Sequence, residues 1–441
     1  MRLVLSAYGT RGDIEPSVAV GRELKKRGHD VLIALPPDLV GFAESEGLAA
    51  VPMGLDTNAW LDVYRELWAT LLHRFWRVRE VRQLWREMWR LSDQAWTQMS
   101  TALAAVSEGA DLLVAGQSYQ EPAANVAEYR DIPFATLHNT PIRVNSQLLS
   151  SLPAAAARFV MRGYDWLGWR LNKKVEDTQR RGLGLPRADG PVSRRIAERG
   201  SLELQAYDPS WFPGLAEEWA DWSECRPFVG TLTLEQETAV DGEVSQWIAA
   251  GRPPVFFGFG SMPIESPTET ITMIAEACAE LGERALVGAG RSDFSQAPAF
   301  DHVKVVGPIN YAAVFPTCRA VVHHGGVGTL AAGLRAGMPT LVLWIDGAQP
   351  IWAARVTALG VGAVRSYAKT TRATLVVDLR KVLRPECAAR ARAVGAGMRT
   401  ATESVALAAD AVERFIEASV TLPPERPAGH FDKRGKACEQ T

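Results

Sequence analysis

The sequence predicts an α/β protein made of two doubly wound parallel sheets. Short strand-like apolar runs alternate with helical segments along most of the chain, the pattern of consecutive β-α-β units. At 441 residues the chain is long enough for two domains of ordinary size. Each half also carries a glycine-rich turn between a strand and a helix: Gly9-Thr-Arg-Gly-Asp13 in the first, His324-Gly-Gly-Val-Gly-Thr329 in the second.

In the first half, Arg2–Ala7 reads as a buried strand and Gly9–Asp13 as a loop. Ile14–Arg27 follows as a helix with Pro16 in its first turn, and Val31–Leu35 as the next strand. Apolar runs at Asp111–Ala115 and Pro133–Leu137 supply two more strands. Ligands of a doubly wound sheet gather at the C-terminal strand ends, which puts Gly9–Asp13 and His138-Asn139-Thr140 on one rim. Trp60–Met99 is helical by pattern, lacks Gly and Pro, and holds six of the fourteen tryptophans. Trp85, Trp89 and Trp96 share one face if that helix is continuous, and five arginines from Arg77 to Arg90 crowd it. A second basic and aromatic stretch runs from Arg158 to Lys174. Three readings stand open: packed core with solvated arginines, an apolar cleft for an acceptor, or a face set against a membrane.

Arg180–Gly190 and Pro209–Pro213 read as turn-rich, and Cys225–Thr233 as the crossing into a second domain. A short helix ends at Trp247–Gly251. Pro254–Met262 is a buried strand with a glycine turn, followed by the helix Glu269–Leu281 and the strands Arg284–Val287 and His302–Val306. The strand Ala320–Val322 leads into the second glycine-rich turn and its helix. Then come the strand Thr340–Trp344 and the loop Ile345–Pro350. The helix Thr402–Ala418 closes the fold, and the charged, Pro-rich tail beyond it reads as disordered.

The turn after Val322 offers the clearest chemistry. A glycine-rich strand-to-helix turn presents backbone N–H groups and the positive end of a helix dipole, which suits phosphate. Gly325, Gly326 and Gly328 let the backbone approach an anion closely. His324 adds a side-chain donor and Thr329 a hydroxyl at the helix start. The structural alternative is a plain turn with a buried histidine pair.

Composition narrows the partners. Hydrophobic residues make up 47% and charged residues 22% of the chain, and the net charge of −2 shows no footprint for nucleic acid. The five cysteines are scattered and form no Cys-x-x-Cys, which points to a reducing cytoplasm and no structural zinc. No apolar run is long enough for a spanning helix, and Met1–Ala7 is too short for a signal peptide. Peripheral contact with the inner membrane face stays open through the basic aromatic stretches.

The motifs Ser6-Ala-Tyr-Gly-Thr-Arg-Gly-Asp-Ile-Glu-Pro16 and His323-His-Gly-Gly-Val-Gly-Thr329, in this order, resemble those of family 1 glycosyltransferases of the GT-B fold. Within that family the similarity is greatest to bacterial enzymes that glycosylate glycopeptide antibiotics and mycobacterial glycopeptidolipids, and to sterol glucosyltransferases. The resemblance spans about residues 1–418. It implies two Rossmann-like domains facing an interdomain cleft: an acceptor domain over 1–222, a linker over 223–240, and a nucleotide-sugar domain over 241–401. The helix over 402–418 would cross back to the first domain, and 419–441 would be a disordered tail. It also implies an inverting transfer without metal or other cofactor, from a UDP- or TDP-sugar co-substrate to a hydrophobic small molecule or lipid, in antibiotic, natural-product or glycolipid biosynthesis.

The same resemblance implies roles for particular residues. Asp13 matches the general base, with a helix cap or a pair with Arg11 as the structural alternatives. His324, Gly325, Gly326, Val327, Gly328 and Thr329 would hold the leaving diphosphate, with Ser261, Arg11 and Gly12 approaching phosphate or sugar. Val306 to Ile309 would hold the nucleobase. Trp85, Trp89, His138 and Asn139 are the acceptor-side candidates, with His138 the substitute base. The family places an acidic residue and a glutamine 24 and 25 residues after the motif histidine, to bind sugar hydroxyls. Here those positions are Ala348 and Gln349, with Asp346 nearby as a substitute. The missing carboxylate weakens the case for UDP-glucose and favours a deoxysugar.

Two other classes remain in view. Gly326-Val-Gly-Thr-Leu-Ala331 satisfies a dinucleotide-binding fingerprint, with Asp346 about 20 residues on, as in a nicotinamide-dependent dehydrogenase. A non-catalytic partner of another glycosyltransferase would fit Ala348 but not the intact Asp13 and His324.

Overall fold

The computed structural model describes residues 1–421 apart from 60–61, 64–65, 68–69, 71–75, 237, 239, 261–263, 265 and 346–347. The chain divides into two compact units. Met1–Ala206, Gly214–Val229 and the segment from Val405 onward form the N-terminal unit; Tyr207–Pro213 and Gly230–Ser404 form the C-terminal unit.

The sheet of the N-terminal unit holds β1 (Arg2–Ser6), β2 (Asp30–Leu35), β3 (Ala49–Pro52), β4 (Leu112–Ala115), β5 (Phe134–His138) and β6 (Leu202–Gln205). All pairings are parallel and the order is β3-β2-β1-β4-β5-β6. Chain order reverses between β1 and β4, so the loops leaving these two strands flank the switch point where such sheets bind ligands. β6 is too polar to stand out as an apolar run. Its Glu203 is 1% exposed and pairs with Arg143 and Arg226. Burial pushes this carboxyl up, but the two guanidiniums outweigh that and hold it at about 2.

Four helix boundaries differ from the sequence reading. The first helix is Arg11–Lys26, so Gly12 and Asp13 lie in its opening turn and not in a loop. The Trp-rich helix spans Val78–Val106; Trp60 and much of the segment up to 75 lie outside the described residues. Ala154–Gly182 is one helix, absorbing Arg180–Gly182 from the stretch expected to be turn-rich. The final helix runs from Ala401 to Thr421. Within the N-terminal unit its later turns are moored by Arg27, which reaches Asp410 at 2.6 Å and Glu413 at 2.7 Å, and by His29 at 2.8 Å from Glu413.

The C-terminal unit repeats the architecture. β7 (Val255–Gly258), β8 (Ala285–Gly288), β9 (Val303–Val306), β10 (Ala320–His323), β11 (Thr340–Trp344) and β12 (Gly362–Ser366) are parallel in the order β12-β11-β10-β7-β8-β9. Alternation along β7 builds two cores. Val255 and Phe257 pack with Ile271, Ile274, Leu375 and Leu379 of the helices Pro267–Leu281 and Arg372–Val382. Phe256 faces the other way, with Val244, Leu286, Phe315 and Val321. Each such side chain contributes about 1.5–3 kcal/mol by leaving water. The switch point lies between β7 and β10, whose register pairs Gly258 with His323, so the loops after both emerge side by side. No described helix is long and apolar enough to cross a membrane.

Candidate active site

In the C-terminal unit, β10 ends at His323 and the helix Val327–Arg335 begins three residues after His324. Its N-cap is Gly326, in extended conformation and with no side-chain cap. The N–H groups of Val327, Gly328 and Thr329 therefore have no acceptor within the helix; Leu330 donates the first intrahelical bond, to the Gly326 carbonyl at 3.0 Å. Gly325 sits at φ +102°, where a Cβ would lie 3.0 Å from the Gln349 Cβ and 3.1 Å from Val342. The turn is pressed against the start of the next helix, Gln349–Leu359.

The two histidines part company. His323 is fully buried; its Nδ1 accepts from the Gly325 N–H at 3.1 Å, and burial, with His324 beside it, lowers its pKa to about 3. His324 is half-buried at the turn. A Cβ on Gly260 would fall 2.4 Å from the His324 ring, and one on Gly326 3.0 Å from its Nε2, so the imidazole is seated between two glycines. Gly260 has φ +61°, which independently favours glycine. Burial lowers the His324 pKa to about 4, partly opposed by the Gly258 backbone, so the ring is neutral at pH 7. Its Nδ1 is buried with no well-formed hydrogen bond among the described residues.

The other donor-side candidates divide. Gln349 opens its helix and its Oε1 accepts from the Ile345 N–H at 2.7 Å, with Ala348 exposed at the N-cap. Val306 ends β9. It is buried in the core and its carbonyl accepts from the Ala289 N–H at 2.8 Å, while Ile309 is half-buried beyond the strand end. Ser261 and Asp346 lie outside the described residues.

In the N-terminal unit, Asp13 is the third helical residue of a capping box. Its Oδ2 accepts from the Thr10 N–H at 2.7 Å and from the Thr10 hydroxyl at 3.0 Å. Gly9, at φ +132°, makes room: a Cβ there would lie 2.4 Å from that oxygen. Burial raises the Asp13 pKa above the ordinary 3.8, opposed by both Thr10 donors. Arg11 does not pair with it; it lies 3.6 Å from Glu15 and stacks over Phe42. Gly12 is exposed beside Thr10.

His138 ends β5 and does not stand in a rim loop. It is fully buried in the sheet, with Nδ1 3.3 Å from the Gln205 amide, and burial together with Arg143 holds its pKa well below 6.5. Asn139 is also buried, at 8% exposure, so the rim expected from both residues lies beyond them. Trp85 is half exposed and Trp89 half-buried on the helix Val78–Val106, whereas Trp96 is buried and donates to Gln179 at 2.8 Å. Sequence reasoning missed Thr10 as the partner of Asp13 and Gly260 as the seat of His324, although both stand inside motifs it had singled out. Among the described residues no three His, Cys, Asp or Glu side chains gather as a metal cage.

The dinucleotide fingerprint follows β10, the fourth strand of its sheet in chain order, whereas that motif belongs after a first strand. Comparison with known proteins agrees with the glycosyltransferase resemblance. Residues 3–107 match the glycosyltransferase family 28 N-terminal domain, and residues 272–418 match the erythromycin biosynthesis protein CIII-like C-terminal domain. An uncharacterized glycosyltransferase of Mycobacterium tuberculosis is 52% identical over 94% of this chain and 98% of its own length. A sterol 3-beta-glucosyltransferase of Arabidopsis thaliana is 28% identical over 97% of this chain and 69% of its own. The crystal structure of the glycosyltransferase VinC in complex with dTDP shares the fold, with TM-score 0.66 at 20% identity, covering 94% of this chain and 100% of that one. With two switch-point sheets of the same order, and this similarity along nearly its whole length, the chain belongs to the family 1 glycosyltransferases of the GT-B fold.

Proposed function

We propose that this glycosyltransferase inverts the anomeric centre as it moves a sugar from a nucleoside-diphosphate donor to a hydroxyl of a hydrophobic natural product or lipid, without metal. The observation that carries this reading is the uncapped helix start at Val327–Thr329 with the neutral His324 ring beside it. As the bond between the anomeric carbon and the diphosphate breaks, the electron pair leaves on a phosphate oxygen. Three N–H groups with no acceptor in their own helix, the helix dipole and an imidazole N–H can stabilise that charge without being reorganised. The family resemblance supports Asp13 as the base that takes the acceptor proton while the acceptor oxygen attacks. Its raised pKa suits a base, because proton transfer is most effective when the pKa lies nearer the working pH.

The dTDP complex of VinC supports a nucleotide-sugar donor, and the plant sterol glucosyltransferase supports a hydrophobic acceptor. Ala348 in place of a carboxylate supports a deoxysugar, since a site without that acceptor loses nothing when the hydroxyl is absent. Free Cys225, Cys278, Cys318 and Cys387 suit a reducing cytoplasm. The test is a panel of UDP, dTDP and GDP read by thermal shift, then transfer from their sugars read by mass spectrometry and product NMR. Stabilisation by at least one diphosphate and an inverted anomeric product are expected. A product that retains configuration, or no response to any nucleotide, refutes the reading.

A further inference from the structure

The helix Ala154–Gly182 is amphipathic the wrong way round for a surface helix. Ala157, Met161, Gln179 and the largely polar Glu176 and Arg180 face the protein. Facing water, Val160, Tyr164, Leu167 and Leu171 recur at i, i+4, i+7 and i+11, a single stripe, with exposures of 46, 81, 50 and 55%. Phe159 at 75% and Trp166 at 52% widen it. A soluble surface helix carries polar residues there, and a contiguous apolar face of this kind marks an interaction site.

Charge distinguishes the occupant. The helix carries seven basic and three acidic side chains although the whole chain has a net charge of −2. Arg162, Arg170 and Lys174 are exposed along the apolar stripe, and none forms an ion pair among the described residues; Arg170 stacks on Trp166 at 5.7 Å. Two copies of such a face would set like charges against each other. Aromatic and aliphatic side chains rimmed by Arg and Lys match an anionic bilayer, where the rings enter the headgroup boundary and the cations meet lipid phosphates.

We propose that the outer face of Ala154–Gly182 docks the protein on the surface of an anionic lipid bilayer, lying in the interface without crossing it. This holds whether or not the donor and base assignments above are right. The test is flotation of the purified full-length chain with vesicles of phosphatidylcholine alone and with about a third phosphatidylglycerol. Three cations near the surface, each worth about fivefold, predict about a hundredfold preference for the anionic vesicles. That preference should collapse in 0.5 M salt. Leu167→Ser with Leu171→Ser should abolish flotation, and Arg162→Glu with Lys174→Glu should lower it at least 25-fold. Both double variants should keep the wild-type thermal midpoint and nucleotide response, because the replaced side chains face water. Equal binding to neutral vesicles, no binding to either, or a wild-type dimer that the leucine variant dissociates would each overturn the proposal.

Discussion

Replacing His324 with Ala tests the donor site in two independent ways. The first is catalytic. Loss of one preorganised donor to a developing oxyanion costs about 100- to 1,000-fold in turnover, or about 3–4 kcal/mol of barrier. The second follows from burial. The folded pKa of His324 is about 4, against an ordinary 6.5. Because it is depressed, the unfolded chain takes up the proton first as pH falls. The stability tied to the neutral ring is whole above pH 6.5 and drains away toward pH 4. Between pH 7.5 and 5 this side chain alone accounts for about 2 kcal/mol of acid destabilisation. His138, also buried and neutral, is common to both proteins and cancels in the comparison; His323 cancels in the larger part of its shift, which comes from burial, while the smaller part due to His324 goes with the mutation. Urea unfolding of wild type and His324→Ala at both pH values, with turnover at saturating donor, reads both effects. The mutant should be nearly inactive yet less sensitive to acid. Turnover within tenfold of wild type refutes the donor role; equal acid sensitivity refutes the burial argument.

Asp13→Asn keeps an oxygen for the Thr10 cap, so it should cost about 1 kcal/mol of stability or less while lowering transfer about 100-fold or more. The wild-type rate should fall on the acid side through a pKa above 3.8, and the residual rate of the variant should lack that limb; a variant with the same limb assigns the base elsewhere. If the helix start and His324 supply the charge stabilisation, as proposed, turnover should persist in excess chelator; strict dependence on added magnesium or manganese would count against this site. Ala348→Asp should shift preference toward fully hydroxylated sugar donors, an idea that fails if the wild-type enzyme already prefers UDP-glucose to every deoxysugar tested.

The central strands were legible in the sequence because they are buried on both faces. Leu3-Val-Leu5, Phe256-Phe257 and Val321-Val322 must be apolar whatever their neighbours. The strands that escaped notice, β3, β6 and β12, are all sheet edges, and their residues are set by partners far along the chain. Leu202-Glu-Leu-Gln205 can carry a buried carboxylate in a strand because Arg143 and Arg226 pair with Glu203. The glycine-rich turns were legible for a related reason: positive φ and close backbone approach leave glycine almost no substitute, so Gly9 and Gly325 carry their geometry in their identity.

The sequence by itself determined two doubly wound sheets, a glycine-rich strand-to-helix turn at 324–329 and the enzyme family. Tertiary structure decided which side chains of those motifs face outward. Two adjacent histidines look alike on paper, yet strand alternation and the Gly325 N–H draw His323 into the core while Gly260 and Gly326 leave room for His324 at the turn. The sequence pattern places His138 in the rim loop, but it ends β5, beside Gln205 of the neighbouring edge strand. Asp13 became the closing residue of a helix cap because Gly9 has no Cβ to exclude it. Local pattern reports how often a side chain returns to a face; burial and pKa depend on what the rest of the chain packs against that face, and only the folded molecule contains that information.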